Sequence, residues 1–223
     1  MTLIQRIYDR LLRVTSKPGE RGEYSGGYWQ DKTRQAALRV ISHDEGRLLE
    51  VGCGEGFFLT ELAALNSRLQ LWGLDRWPQI LEKARQRLLA HRLNNITLVQ
   101  SEAYHLPFED GFFDVLVCIN VLICLPRTED LGRIVKEFSR VLKPGGKLVV
   151  EFRNGRNLIL RAKYRLARYY DATVADHPLS TYKEEEVLAL LESSGFSVGQ
   201  KLYLDFPVKR WAPIIIFEAE KTC

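Results

Sequence analysis

The chain has 223 residues, 46 % of them apolar and 27 % charged, a balance that suits one globular core and excludes disorder, fibre and membrane bundle. A formal charge of +4 is too small to imply a nucleic-acid partner by itself. Charges interrupt the first ten residues too early for a signal-peptide core, and no apolar run approaches a span of ~20 residues, so a cytoplasmic protein is expected.

In chain order, Ile4, Ile7, Tyr8, Leu11 and Leu12 stand at helical spacing and predict a short amphipathic helix over 3–14. It ends at Lys17-Pro18-Gly19, after which residues 19–28, rich in Gly and Tyr, read as an entry loop. A second helix is expected over 29–42. From Arg47 onward, short apolar runs alternate with amphipathic stretches. Strands are read at 48–51, 69–74, 96–100, 113–119 and 147–152, with helices at 57–65, 78–91 and 128–142 between them. Pro78 suits a first helical turn, where a missing N–H costs nothing. Residues 153–182 form a long connection with a helical stretch, followed by a helix at 184–194, capped by Gly195, and closing strands at 196–204 and 213–219.

Buried strands separated by helices imply an α/β fold. The expectation is a Rossmann-like three-layer sandwich: a mostly parallel seven-stranded sheet, helices on both faces, and an antiparallel closing strand.

Three motifs carry chemistry. Glu50-Val51-Gly52-Cys53-Gly54-Glu55-Gly56 follows the first strand and opens a helix. A turn this tight needs residues without a Cβ, and the helix start offers unpaired N–H groups. Structural turns, dinucleotide sites and methyltransferase sites all use such loops. A dinucleotide fingerprint needs Gly where Phe57 stands, and no Gly-Lys-Ser/Thr follows. Glu50 would repel a pyrophosphate but suits a cationic amine and sulfonium, which favours S-adenosylmethionine over NAD. Asp75, ending the second strand, can accept both hydroxyls of a ribose, or can serve the helix that starts at Pro78. The third motif runs from Ser101-Glu102-Ala103 to Phe113-Asp114, coupling an acidic residue after the third strand to a turn into the fourth.

Together with Leu142-Lys143-Pro144-Gly145-Gly146, these segments resemble the ordered motifs of class I S-adenosylmethionine-dependent methyltransferases, nearest to the small-molecule branch of ubiquinone/menaquinone-biosynthesis type. The resemblance covers about residues 46–152. It implies that Gly52, Gly54 and Gly56 meet the methionine part of the cofactor while Glu50 faces its amino group. Asp75 would hold the ribose, Arg76 and Ile80 would flank the adenine, Glu102 and the Ala103 N–H would bond it, and Asn120 would lie near the methionine. Removing the Asp75 carboxylate is expected to weaken binding of S-adenosylhomocysteine about tenfold or more and to leave ligand-free stability nearly unchanged. The chain departs from the family in Glu102, where Asp is usual, in Ser101, where Gly is usual, and in Ile123-Cys124, where many relatives carry histidines.

By position ahead of the glycine loop, Tyr24, Tyr28 and Trp29 are candidates to close over the site, and Arg34 to meet the cofactor's carboxylate. Between Phe152 and Asp171 there is no acidic residue, while Arg153, Arg156, Arg161, Lys163, Arg165 and Arg168 interleave with apolar residues and Tyr164. This segment reads as a solvated covering helix, as a lid for an anionic acceptor (a sugar, nucleotide-sugar or lipid-linked precursor) contacted by Arg153, Arg156 and Tyr164, or as a dock on an anionic membrane surface, the last not favoured because the apolar alternation is too ragged for a clean amphipathic face. His43, His91 and His105 read as surface residues. His177 and Tyr182 are the candidate catalytic groups, needed only for a hydroxyl or protonated amine acceptor.

The organisation expected is one domain: 1–45 as helices and lid, 46–152 as the cofactor-binding core, 153–182 as a basic insertion, and 183–223 completing the sheet. Cys53, Cys118, Cys124 and Cys223 form no Cys-x-x-Cys pair, so reduced thiols and no metal are expected. The expected partner is a small molecule and not nucleic acid, because Cys118-Ile119-Asn120-Val121 lacks the Asn/Asp-Pro-Pro-Tyr/Phe pattern of amino-methylating DNA enzymes. A methyltransferase for protein or RNA and a non-catalytic S-adenosylmethionine-binding module remain as alternatives.

Overall fold

The computed structural model describes residues 28–125, 128–167, 179–205 and 208–222. The helix expected over 3–14, Tyr24, Arg168, His177 and Cys223 lie outside the described residues.

The first described helix, α1, spans Tyr28–Ile41. Strand β1 (Gly46–Val51) leads through the glycine turn into α2 (Phe57–Leu65), and β2 (Leu69–Asp75) leads into α3 (Pro78–Ala90). Strands β3 (Thr97–Gln100) and β4 (Phe113–Cys118) follow, then a 3-10 turn at Leu122–Cys124 and helix α4 (Thr128–Val141). Strand β5 (Leu142–Arg153), α5 (Leu158–Ala167), α6 (Glu184–Ser193), β6 (Phe196–Leu204), a 3-10 turn at Lys209–Trp211 and β7 (Ile214–Lys221) complete the order.

All seven strands form one sheet in the order β3-β2-β1-β4-β5-β7-β6. Pairing is parallel from β3 through β5, and β7 runs antiparallel to both β5 and β6. The expected fold class holds, antiparallel closing strand included. From β1 the chain winds outward to β3, then returns to lay β4 on the other side of β1. The strand order therefore reverses between β1 and β4, and in open α/β sheets ligands lodge beyond the carboxyl ends of the strands at such a reversal.

Alternation along the strands divides the core in two. Leu48 faces Ala36, Ala37 and Ile41 of α1 and Phe58, Leu59 and Leu62 of α2, whereas neighbouring Leu49 belongs with Ile134, Val135 and Phe138 of α4 and Val187 and Leu191 of α6. Gly73 makes the first packing possible. A Cβ there would sit 2.5 Å from Leu59 Cδ1 and 3.0 Å from Cys53 Sγ.

One expectation needs correcting. The helix read to 142 and the strand read from 147 leave 143–146 as a break between them, yet the backbone from Leu142 to Arg153 is one strand. The irregularity is absorbed where its pairing with β4 shifts between Phe113 and Val115, with Gly145 at φ +73°.

The segment from β3 to β4 is fixed by packing and by one arginine. Trp72, Phe108, Phe112 and Phe113 meet edge to face or stacked, with centroids 4.8–6.1 Å apart. Arg140 donates to both Glu137 oxygens, to Asp110 and to the carbonyls of Leu106 and Phe108, all at 2.7–2.8 Å. Glu137 in turn accepts the Leu106 N–H at 2.8 Å, and the guanidinium holds its carboxyl below the ordinary value.

Candidate functional site

The glycine turn lies at the reversal of strand order. The N–H groups of Gly52 and Cys53 both donate to Leu74 O, at 2.7 and 2.9 Å, which folds the chain across the end of β2. Gly52, Gly54 and Gly56 take φ of +75°, +53° and +78°, left-handed values that only glycine adopts readily. At Gly52 space is also limiting, since a Cβ would lie 2.1 Å from Val121 Cγ2, behind β4. Helix α2 starts without a side-chain cap, so its first N–H groups are not satisfied by one.

Asp75 is held from two sides. Its Oδ2 accepts the Gly54 N–H and its Oδ1 the Trp77 N–H, both at 3.0 Å. Asp75 therefore braces the start of α3, and each oxygen keeps acceptor capacity toward the half-exposed side. Two backbone donors would lose their partner if it were removed, so the ligand-free fold is expected to lose some stability rather than stay nearly unchanged.

The N–H of Ser101 donates to Asp75 O at 3.2 Å, which brings Glu102 and Ala103, both half-buried, to the end of β2. Ile80 is half-buried on α3, while Arg76 is exposed and lies over the Trp77 ring, 4.6 Å from its centroid.

A second set of groups is buried deeper, on the α1 side of the sheet. Glu50 is 3 % exposed, and its Oε2 has no hydrogen-bond partner. Burial raises its carboxyl well above the ordinary range; the charge of Arg34 opposes this and that of Asp75 adds to it. Arg34 is itself buried, donates to Glu61 (3.0 Å) and Asp31 (2.9 Å), and lies over Phe57.

Beyond β4 the chain turns at Asn120, a non-glycine residue at φ +60°. Its N–H donates to Glu151 Oε2 and its side-chain oxygen accepts from Arg153 Nη2, each at 2.8 Å. Glu151 and Arg153 are both fully or nearly fully buried and stand 3.3 Å apart, and Arg153 lies 5.8 Å from the Trp29 ring centroid. Glu151 Oε1 and Arg153 Nε and Nη1 make no hydrogen bond. Sequence reading passed over Glu151. The one sign in the sequence was Leu148-Val149-Val150-Glu151, an acid within the last residues of a buried strand as Glu50 is in β1.

The remaining candidates scatter. Arg156 is exposed and pairs with Glu185 at 2.5 Å, while Tyr164 is half-buried on α5. Tyr28 begins α1. Tyr182 is buried in the core, its hydroxyl donates to Leu122 O at 3.2 Å, and burial pushes its pKa up to about 12, which makes it a poor base near neutrality. His43, His91 and His105 are all exposed. Burial raises the thiols of Cys53 and Cys118, which suits packing rather than reactivity. Among the described residues no group of His, Cys, Asp and Glu could hold a metal ion.

Residues 49–150 match the model of a methyltransferase domain family. A demethylmenaquinone methyltransferase of Deinococcus radiodurans is 34 % identical over 160 residues, which is 71 % of this chain and 61 % of that protein. The chain thus spans about three fifths of the length of that relative. Among solved structures, magnesium protoporphyrin IX methyltransferase from Synechocystis PCC 6803 with bound S-adenosylhomocysteine aligns with a TM-score of 0.70 at 19 % identity, covering 97 % of this chain and 95 % of that one. The [4+2]-cyclase SpnF aligns with a TM-score of 0.68, also at 19 % identity, covering 98 % and 96 %. At such identities the structural likeness shows the fold.

Proposed function

We propose that this chain, which carries a class I S-adenosylmethionine-dependent methyltransferase domain, transfers a methyl group to a small-molecule acceptor arriving at the carboxyl ends of β4 and β5. The fold alone does not carry this reading, since a cyclase shares it. The observation that does is Glu50: a buried carboxylate oxygen without a partner, beside a glycine turn, is an arrangement that a cationic amine completes.

When bound, S-adenosylmethionine supplies an activated methyl on its sulfonium, so the protein has only to bind, align and exclude water. Alignment of this kind is worth roughly 7–11 kcal/mol in favourable systems. Glu50 accepts from the ammonium group, and the turn through Gly52, Gly54 and Gly56 lets backbone approach closely. Asp75 accepts from the ribose hydroxyls; Ile80, Glu102 and Ala103 line the adenine end, and Arg76 covers its exposed edge. Asn120 stands at the methionine end, where the Arg34 charge opposes without reversing the rise of the Glu50 carboxyl and balances the ligand's carboxylate.

On the acceptor side, the buried Arg153 guanidinium beneath Trp29 favours an acceptor bearing negative charge or a polarised oxygen. Tyr164 stands on the helix just beyond, and Arg156 reaches the same entrance only by leaving Glu185. Tyr28, one residue before Trp29, begins the helix that covers this side.

The reading is tested in two steps. Calorimetric titration with S-adenosylhomocysteine should show binding that weakens about tenfold or more in Glu50→Gln, the effect of losing one charge-assisted hydrogen bond. Incubation with methyl-labelled S-adenosylmethionine and a deproteinised cell extract should then move label into an aqueous or a lipid fraction. Tight cofactor binding with no label in either fraction would overturn the small-molecule reading.

A further inference from the structure

The chain leaves the site at Arg153 and at once forms a surface of unusual character. Asn154 donates to the carbonyls of Arg210 and Ala212, at 3.0 and 2.8 Å, and Asn157 to that of Trp211 at 2.6 Å. These bonds tie the start of α5 to the 3-10 turn at Lys209–Trp211. On the joined segments Leu158, Ile159, Val208 and Trp211 are 59 %, 72 %, 54 % and 43 % exposed, while the adjacent Leu160 is buried. Apolar side chains this exposed and this close together leave water only if something covers them.

Charge says what that is. Arg161 and Arg165 follow Leu158 at helical spacing of three and seven, and with Lys209 and Arg210 they are exposed. Among the described residues, Arg161, Arg165 and Arg210 enter no ion pair, and no acidic residue lies in 154–167 or 208–213. A protein partner would have to supply several carboxylates around an apolar centre. A bilayer with anionic headgroups supplies both layers at once: acyl boundary for Leu158, Ile159 and Trp211, and phosphates for the arginines.

We propose that the start of α5 and the 209–211 turn form a docking surface for an anionic lipid bilayer. It differs in kind from a spanning segment, since no described helix is long and apolar enough to cross a membrane. Docking there sets the carboxyl edge of β5, and with it Arg153, against the headgroup layer. The binding needs neither cofactor nor methyl transfer, so it stands or falls apart from the reading of the site.

The test is co-sedimentation of the full chain with vesicles of phosphatidylcholine alone and with one quarter phosphatidylglycerol, at low and physiological salt. Expected is retention on the anionic vesicles only, weakened by salt. Arg161→Ala and Arg210→Ala should each lower the affinity about fivefold, the loss of one basic contact with an anionic surface. Ile159→Asp, at a position exposed enough not to disturb the fold, should abolish retention. Fluorescence of Trp211 should shift to the blue on binding, a change absent in Trp211→Phe. Equal retention on neutral vesicles, or binding unchanged in both Ile159→Asp and Arg161→Ala, would overturn the proposal. So would no retention with self-association that Ile159→Asp removes, which assigns the surface to a second copy of the chain.

Discussion

At the ends of β2 and β3 every charged group that the fold depends on is tied to backbone or to an opposite charge. Asp75 accepts two N–H groups, and Arg140 and Glu137 clamp the turn from Leu106 to Asp110. At the ends of β1 and β5 the charges are more deeply buried, yet Glu50 Oε2 and Arg153 Nη1 have no hydrogen-bond partner, and Glu151 Oε1 meets Arg153 Nε only as an ion pair at 3.3 Å. Leaving a buried polar group unsatisfied costs about 1–3 kcal/mol. A region that bears such costs beside one that avoids them is holding groups ready for something else. On the function proposed above, the difference separates residues that hold the fold from residues held for a ligand.

The largest effect should come from the clamp. Arg140→Ala deprives Glu137 of its ion pair and two carbonyls of a donor, and should lower unfolding free energy by about 2–3 kcal/mol. Chemical denaturation measures this. Part of the loss should fade toward acid pH: Glu137 is held below its ordinary value, so its contribution is present above the unfolded pKa and lost as pH falls through the folded one. A change under 0.5 kcal/mol would mean the aromatic cluster alone fixes the turn.

Asp75→Asn should come next and belongs partly to both regions. The amide oxygen still accepts from one of the two N–H groups, so melting falls modestly, while affinity for S-adenosylhomocysteine falls about tenfold or more. Unchanged affinity would assign Asp75 to the fold alone.

Glu50→Gln should move stability and binding in opposite directions. The folded carboxyl lies above its unfolded value, so its stabilising share is present below the unfolded pKa and is lost as pH rises through the raised one. At neutral pH and above, the glutamine should therefore make the ligand-free protein more stable, by about 1 kcal/mol, with the gain vanishing in acid. In the native protein the affinity for a cationic ligand should weaken as pH falls through the same raised value, with proton release on binding seen by calorimetry in buffers of different ionisation enthalpy. Loss of stability in Glu50→Gln would place this residue with the fold-holding groups.

The two regions were not equally legible beforehand. Five parallel strands and the glycine turn could be read because alternation, length and Gly52-Cys53-Gly54 are local signals. Glu50 and Asp75 could be read because each ends a strand beside that turn. Glu151 was missed because an acid inside a five-residue apolar run gives no local sign of the neighbour it meets, and Asn120 and Arg153 come to it only through sheet register. The basic segment gave one signal for six residues, and the five that are described part company in the fold: Arg153 inward, Arg156 onto Glu185, Lys163 over Trp29, and Arg161 and Arg165 outward. Composition could not make that division, because it depends on which turn of α5 meets the sheet.

The smallest effect is expected at Arg156, and it sharpens the comparison most finely. Its pair with Glu185 joins two exposed side chains, 37 % and 60 % accessible, and such pairs contribute about 0–1 kcal/mol. Arg156→Ala should therefore shift unfolding free energy by less than about 0.5 kcal/mol and leave S-adenosylhomocysteine affinity unchanged. Once an acceptor is in hand, the KM for it decides what this arginine does. A KM equal to that of the native protein leaves Arg156 a surface partner of α6, whereas a KM raised severalfold with kcat unchanged means that the pair opens and the guanidinium turns to the acceptor. In the second case a charge satisfied in the ligand-free fold also serves the ligand, and the rule drawn from Glu50 and Arg153 would hold only for buried groups, where the cost of waiting without a partner is real.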